Sequence, residues 1–106
     1  MTIKKSNASL ASKLESDILG EPLSFGAAVE SLRIGLETSQ SAFAKKLGVS
    51  RQYLCDVEKG RKLVSPEQAA RFAKVFGHPM TVFVRLALQD TVRASGLKLR
   101  VIVEAA

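Results

Sequence analysis

The chain of 106 residues contains one cysteine, one histidine and no tryptophan. A single cysteine cannot close an internal disulfide, and Cys55 has no Cys or His neighbour at metal-ligand spacing, so neither a disulfide framework nor a metal site is expected. The lone His78 lies between Gly77 and Pro79, a turn context that suits a loop residue better than a catalyst. No nucleophile–base pair, glycine-rich phosphate loop or converging carboxylates stand out, which argues against an enzyme and against a bound cofactor. Long hydrophobic runs are also missing. No apolar stretch reaches the roughly 20 residues that span a bilayer, and the amino terminus lacks the apolar core of a signal peptide. We therefore expect a cytoplasmic protein with no membrane partner. Internal repeats and low-complexity tracts are absent.

Acidic residues are outnumbered: 16 Lys and Arg face 10 Asp and Glu, for a formal net charge of +6. The imbalance is uneven along the chain. Residues 1–23 hold three basic and three acidic residues, residues 24–65 seven and four, and residues 66–106 six and three. The excess thus begins at about residue 24 and favours a polyanionic partner. A hydrophobic content of 46% is enough to build the core of one compact domain at this length.

The most informative segment is Ser39 to Glu58, SQSAFAKKLGVSRQYLCDVE. Ser39 suits an N-cap, Phe43, Ala44 and Leu47 form an apolar face at helical spacing, and Gly48 follows where a left-handed terminator is needed. One helix is predicted from Gln40 to Leu47. Val49 offers an apolar side chain in the turn, and Ser50 caps a second helix from Arg51 towards Gly60. Small Ala44 sits where the second helix must pass closely over the first. The pattern is helix, short turn, helix.

At 100° per residue the second helix divides into two faces. Arg51, Gln52, Cys55, Asp56 and Lys59 occupy one wedge; Tyr53, Leu54 and Val57 point the other way. The polar wedge carries groove-reading chemistry: Gln pairs with adenine, Arg with guanine or phosphate, and Asp accepts from cytosine. Arg51, Gln52, Cys55 and Asp56 are the candidate base-contacting residues. Beyond the helix come Lys59, Gly60, Arg61 and Lys62, whose cations are placed to neutralise phosphates flanking a groove. With Ser50 at the start of the second helix, Lys59, Arg61 and Lys62 make up the candidate phosphate-contacting set.

This segment resembles the helix-turn-helix of the phage-repressor-like (Xre) family of DNA-binding proteins, and the resemblance extends from about Phe25 to Leu88. It implies an ion pair between Arg33, on an upstream helix with the stripe Phe25, Val29, Leu32 and Leu36, and Glu58 at the end of the recognition helix. It also implies that Gln40 contacts a phosphate and braces the recognition helix through Gln52. Downstream, Ser65 and Pro66 form an N-cap and N1 pair for a helix with Ala69, Phe72, Ala73 and Phe76 inward. A fifth helix should run from about Pro79 to Arg93. Cys55 and Asp56 depart from the usual choices on the base-facing side. An acidic residue there costs affinity unless it accepts from cytosine or orients a neighbouring Arg or Gln.

The two ends fall outside the resemblance. Residues 1–9 read as a mobile arm, followed by Leu10, Leu14 and Ile18 at helical spacing. After Gly96, the run LKLRVIVEA alternates with the two-residue period of a half-buried strand. A lone strand needs a partner. The simplest is the same strand of a second copy, with Leu97, Leu99, Val101 and Val103 as the dimer interface; a toxin or other protein adding a strand, or packing on the chain's own domain, are the alternatives. The sequence thus predicts an all-α, compact five-helix repressor-like domain over residues 24–95, an N-terminal arm and short helix over 1–23, and a C-terminal dimerisation strand over 96–106. The function expected is sequence-specific binding of double-stranded DNA by a homodimeric repressor reading a palindrome. The alternative is an antitoxin that binds a partner toxin and autoregulates its operon.

Overall fold

The computed structural model describes residues 2–4 and 23–106. In chain order these form β1 (Thr2–Lys4), α1 (Phe25–Gly35), α2 (Gln40–Leu47), α3 (Arg51–Glu58), α4 (Pro66–Phe76), α5 (Met80–Ala94) and β2 (Arg100–Ile102). The five predicted helices are all present. The apolar stripe Leu10, Leu14 and Ile18 lies outside the described residues.

Serine starts four of the helices. Ser24, Ser39, Ser50 and Ser65 stand in extended backbone, and their hydroxyls accept from the N–H groups of Ala27, Ala42, Tyr53 and Gln68 at 3.0–3.2 Å. Each such cap satisfies one orphan donor and stabilises the helix by about 1 kcal/mol. α2 stops where Gly48 takes the left-handed conformation at φ 74°. Its N–H donates to the Lys45 carbonyl and that of Val49 to the Ala44 carbonyl, the paired bonds of a Schellman turn. That turn points Val49 back onto the core, where it packs partly buried.

All five phenylalanines pack in or against one core. Phe25 meets Phe72 and Phe83 edge to face at centroid separations of 5.3 and 5.9 Å, and Phe43 lies 4.5 Å from Phe76. Val29, Leu54, Val57, Ala69 and Ala73 fill the spaces between the rings. The inward faces expected for α3 and α4 are therefore the observed ones. The stripe of α1 is shorter than expected: Phe25 and Val29 are buried and Leu32 is half-buried, but Leu36 is 60% exposed. The reason is local, because Leu36 is the C-cap of α1 and lies beyond the reach of the core.

β2 finds its partner within the chain. It pairs antiparallel with β1, Ile3 opposite Val101, so the segment expected as a mobile arm contributes a strand at Thr2–Lys4. The other edge is held by a side chain: the Gln89 amide donates to the Leu99 carbonyl and accepts from the Val101 N–H, both at 2.8 Å. Gln89 on α5 thus acts as a one-residue strand. Val101 is buried in its own domain and Leu97 is 54% exposed, so the four apolar residues assigned to one dimer face do not share one environment. The strand begins only at Arg100, three residues past Leu97, which breaks the alternation the sequence suggested.

Candidate nucleic-acid interface

α2 fixes the position of α3. Phe43, Ala44 and Leu47 are buried on one side of the crossing, and Leu54 and Val57 on the other. From the opposite direction α1 approaches α3 at Gly26. A Cβ on that residue would lie 2.1 Å from the Val57 carbonyl oxygen and 3.0 Å from that of Glu58. Only glycine permits this approach, so Gly26 sets the distance at which the start of α1 passes the end of α3. Gly26 went unnoticed in the sequence, where its only signal is a glycine within an apolar helical stretch, which does not say what lies opposite.

An ion pair locks the same junction. Arg33 Nε donates to Glu58 Oε2 at 2.7 Å and Nη2 to Oε1 at 3.0 Å, a two-pronged geometry. Arg33 Nη1 donates to the Thr38 carbonyl at 2.9 Å, tying in the loop before α2. The Glu58 side chain is fully buried, and its hydrogen bonds raise the pKa of the Arg33 guanidinium further above its ordinary value, against the opposing effect of burial. Gln40 Nε2 donates to the same Glu58 Oε1 at 2.9 Å. The expected brace from Gln40 to the recognition helix therefore goes to Glu58 and not to Gln52. Gln52 lies nearly two turns nearer the start of α3, while Gln40 is carried alongside the helix end where Arg33 already holds Glu58.

A second anchor was not legible in the sequence. The Asp90 carboxylate on α5 accepts from the Phe25 N–H at 2.9 Å and pairs with Arg93 at 3.1 Å. Burial pushes its pKa up, against the lowering effects of that N–H and of Arg93. Asp90 thereby holds the amino end of α1, and α1 in turn holds α3.

With its inner face fixed, α3 turns Arg51, Gln52, Cys55 and Asp56 outward. Arg51 and Gln52 are exposed, while Cys55 and Asp56 are half-buried. Gln52 Nε2 donates to Asp56 Oδ1 at 3.0 Å. Arg61 Nε donates to the same oxygen at 3.0 Å, and Arg61 Nη2 donates to Cys55 Sγ at 3.6 Å. Arg61, expected among the flanking phosphate contacts, thus folds back onto the outer face of the helix. Exposed Lys59 reaches Glu30 at 3.7 Å. Lys62 places its ammonium 5.3 Å from the centre of the Tyr53 ring, a cation–π contact that keeps it beside the helix. Burial raises the Tyr53 phenol pKa. Ser50 and Gln40 stand at the amino ends of α3 and α2, as the sequence required.

Two short helices joined by a glycine turn, with the second held by its apolar face and turning a polar face outward, form a helix-turn-helix. A family model described as Helix-turn-helix matches residues 29–83, more than half of the chain. The chain belongs to the phage-repressor-like (Xre) helix-turn-helix family. It is a DNA-binding transcriptional regulator of that family, not an enzyme. Two crystal structures of the clp gene regulator ClgR from Corynebacterium glutamicum are similar. One is 32% identical over 65% of this chain and 94% of that chain, with a TM-score of 0.54. The other is 29% identical over 68% and 78%, with a TM-score of 0.53. Among curated proteins, none matches the chain significantly. In this helix-turn-helix protein no helix among the described residues is long and apolar enough to cross a membrane.

Proposed function

We propose that the chain is a sequence-specific transcriptional repressor that binds double-stranded DNA as a homodimer, inserting α3 into the major groove. The observation that carries this reading is the outer face of α3, where Arg51 and Gln52 are exposed beside half-buried Cys55 and Asp56, while Leu54 and Val57 are buried on the opposite face. Arg51 and Gln52 stand in the first turn of α3, the part of a recognition helix that meets base edges. Gln40, Ser50, Lys59 and Lys62 supply backbone contacts that fix register without reading sequence. The aromatic residues support a duplex rather than a single strand as the ligand. All five phenylalanines are drawn into or against the core and the half-buried Tyr53 ring is engaged by Lys62, so the described residues do not present the row of exposed rings on which single strands stack.

One α3 reads only a few base pairs, so a second copy is needed for operator-length recognition. The C-terminal segment is the place we assign to that contact. Exposed Leu97 and half-buried Leu99 and Val103 offer apolar surface there, and Val101 supports the segment from beneath. Repression follows from occupancy alone, since a bound dimer excludes other proteins from the same groove.

Selection of bound duplexes from random DNA by the full chain tests this reading. The expected product is a palindrome with half-site centres about 34–36 Å apart, one turn of the duplex. A single unrepeated half-site would reject the dimer, and a pool that stays random would reject sequence-specific binding altogether.

A further inference from the structure

We propose that Arg61 reads a guanine in the major groove and that Asp56 is the residue that positions it. This rests on the DNA-binding reading above and assigns a base to a residue beyond the recognition helix. Asp56 Oδ1 accepts from Gln52 Nε2 on one side and from Arg61 Nε on the other, both at 3.0 Å. The three side chains form one row across the outer face of α3, closed by the contact of Arg61 Nη2 with Cys55 Sγ at 3.6 Å.

The row consumes particular donors. On Arg61 it takes Nε and one hydrogen of Nη2, which leaves the terminal edge, Nη1–H and the outer Nη2–H, with two parallel donors. Two parallel donors are what guanine O6 and N7 accept. On Gln52 the row takes one amide hydrogen and leaves the other with Oε1, the acceptor and donor that adenine requires. Asp56 thereby fixes the amide orientation of Gln52 and the plane of Arg61 before DNA arrives.

The same contacts disfavour the two simpler roles. A phosphate contact gains from uncompensated charge, whereas Arg61 is held at 3.0 Å by a carboxylate on the outer face of α3 that would itself repel the backbone, a closer pairing than that of Lys59 with Glu30 at 3.7 Å. Direct reading of cytosine by Asp56 needs a carboxylate that protrudes, whereas the Asp56 side chain is only 27% exposed and its Oδ1 holds Gln52 and Arg61. The Arg61 side chain is 57% exposed, so the guanidinium is the part of the pair that protrudes.

The test compares full-length wild type with Arg61→Ala, Arg61→Lys, Asp56→Ala and the control Lys62→Ala, each bound to the selected duplex and to its single-base variants at several salt concentrations. At one guanine per half-site, Arg61→Ala and Arg61→Lys should each lose about 10- to 100-fold of discrimination. Asp56→Ala should relax the same position while its melting temperature stays at the wild-type value. Lys62→Ala should weaken all duplexes alike and reduce the salt slope by about one phosphate's share. If Arg61→Ala behaves as Lys62→Ala does and the guanine preference survives, Arg61 is a phosphate contact and the proposal is overturned. If wild type selects no sequence, the underlying reading falls with it; the two failures are distinguished by wild type alone.

Discussion

Glu58 is the residue that ties the end of α3 to α1 and α2. It is the one charged side chain buried among the described residues, and three donated bonds, two from Arg33 and one from Gln40, compensate its desolvation. A buried carboxylate without them would be strongly unfavourable. Breaking such a pair from one side typically costs about 3–5 kcal/mol, more than removing both partners, because one charge is stranded. We therefore expect Arg33→Ala to lower stability by several kcal/mol, and Arg33→Ala with Glu58→Leu to recover a substantial part. Urea unfolding of the two single variants and the double variant checks this. Additive losses would mean that the pair does not act as a unit. The presence of an ion pair was legible from the Arg33–Glu58 correspondence, but the third member was not. Gln40 and Gln52 are both polar and exposed at the level of sequence. Only the path of α2 beside the end of α3 decides which acceptor Gln40 reaches.

At the scale of elements, helix boundaries were legible to within a residue or so wherever a serine cap opened the helix and a glycine closed it. α2, between Ser39 and Gly48, runs over the predicted residues, and α4 begins at Pro66 after Ser65 as its capping chemistry required. Such signals are local, fixed by backbone groups three or four residues away. What the sequence hid is long-range. Gly26 matters because of the carbonyls of Val57 and Glu58, Asp90 because of the N–H of Phe25, and β2 because of Thr2–Lys4 and Gln89. The alternation after Gly96 revealed a strand, but a period of two states only that one face is apolar, not which chain supplies the neighbour. Gly26 offers the sharpest test of this level. Gly26→Ala should destabilise the fold by about 1–3 kcal/mol as α1 is forced off α3, even though alanine favours a helix interior over glycine by about 1 kcal/mol. Thermal unfolding of the variant measures the sign. A rise in melting temperature would show that α1 and α3 separate freely, and that the close approach does not hold the recognition helix in place.

The whole molecule joins a small phenylalanine-centred core to a surface whose cationic excess, +6 over the chain, attracts DNA of any sequence. On the proposed reading, selectivity comes from the few side chains on the outer face of α3. These two contributions separate by salt, since phosphate contacts release counterions and base contacts do not. The most direct measurement is the affinity of wild type and Gln52→Ala for the selected duplex and for a scrambled one across a salt series. Gln52→Ala should lose about 1–3 kcal/mol on the selected duplex, lose almost nothing on the scrambled one, and keep the wild-type salt slope on both. Equal losses on the two duplexes would contradict this reading, leaving α3 as a cationic surface that holds DNA without reading it.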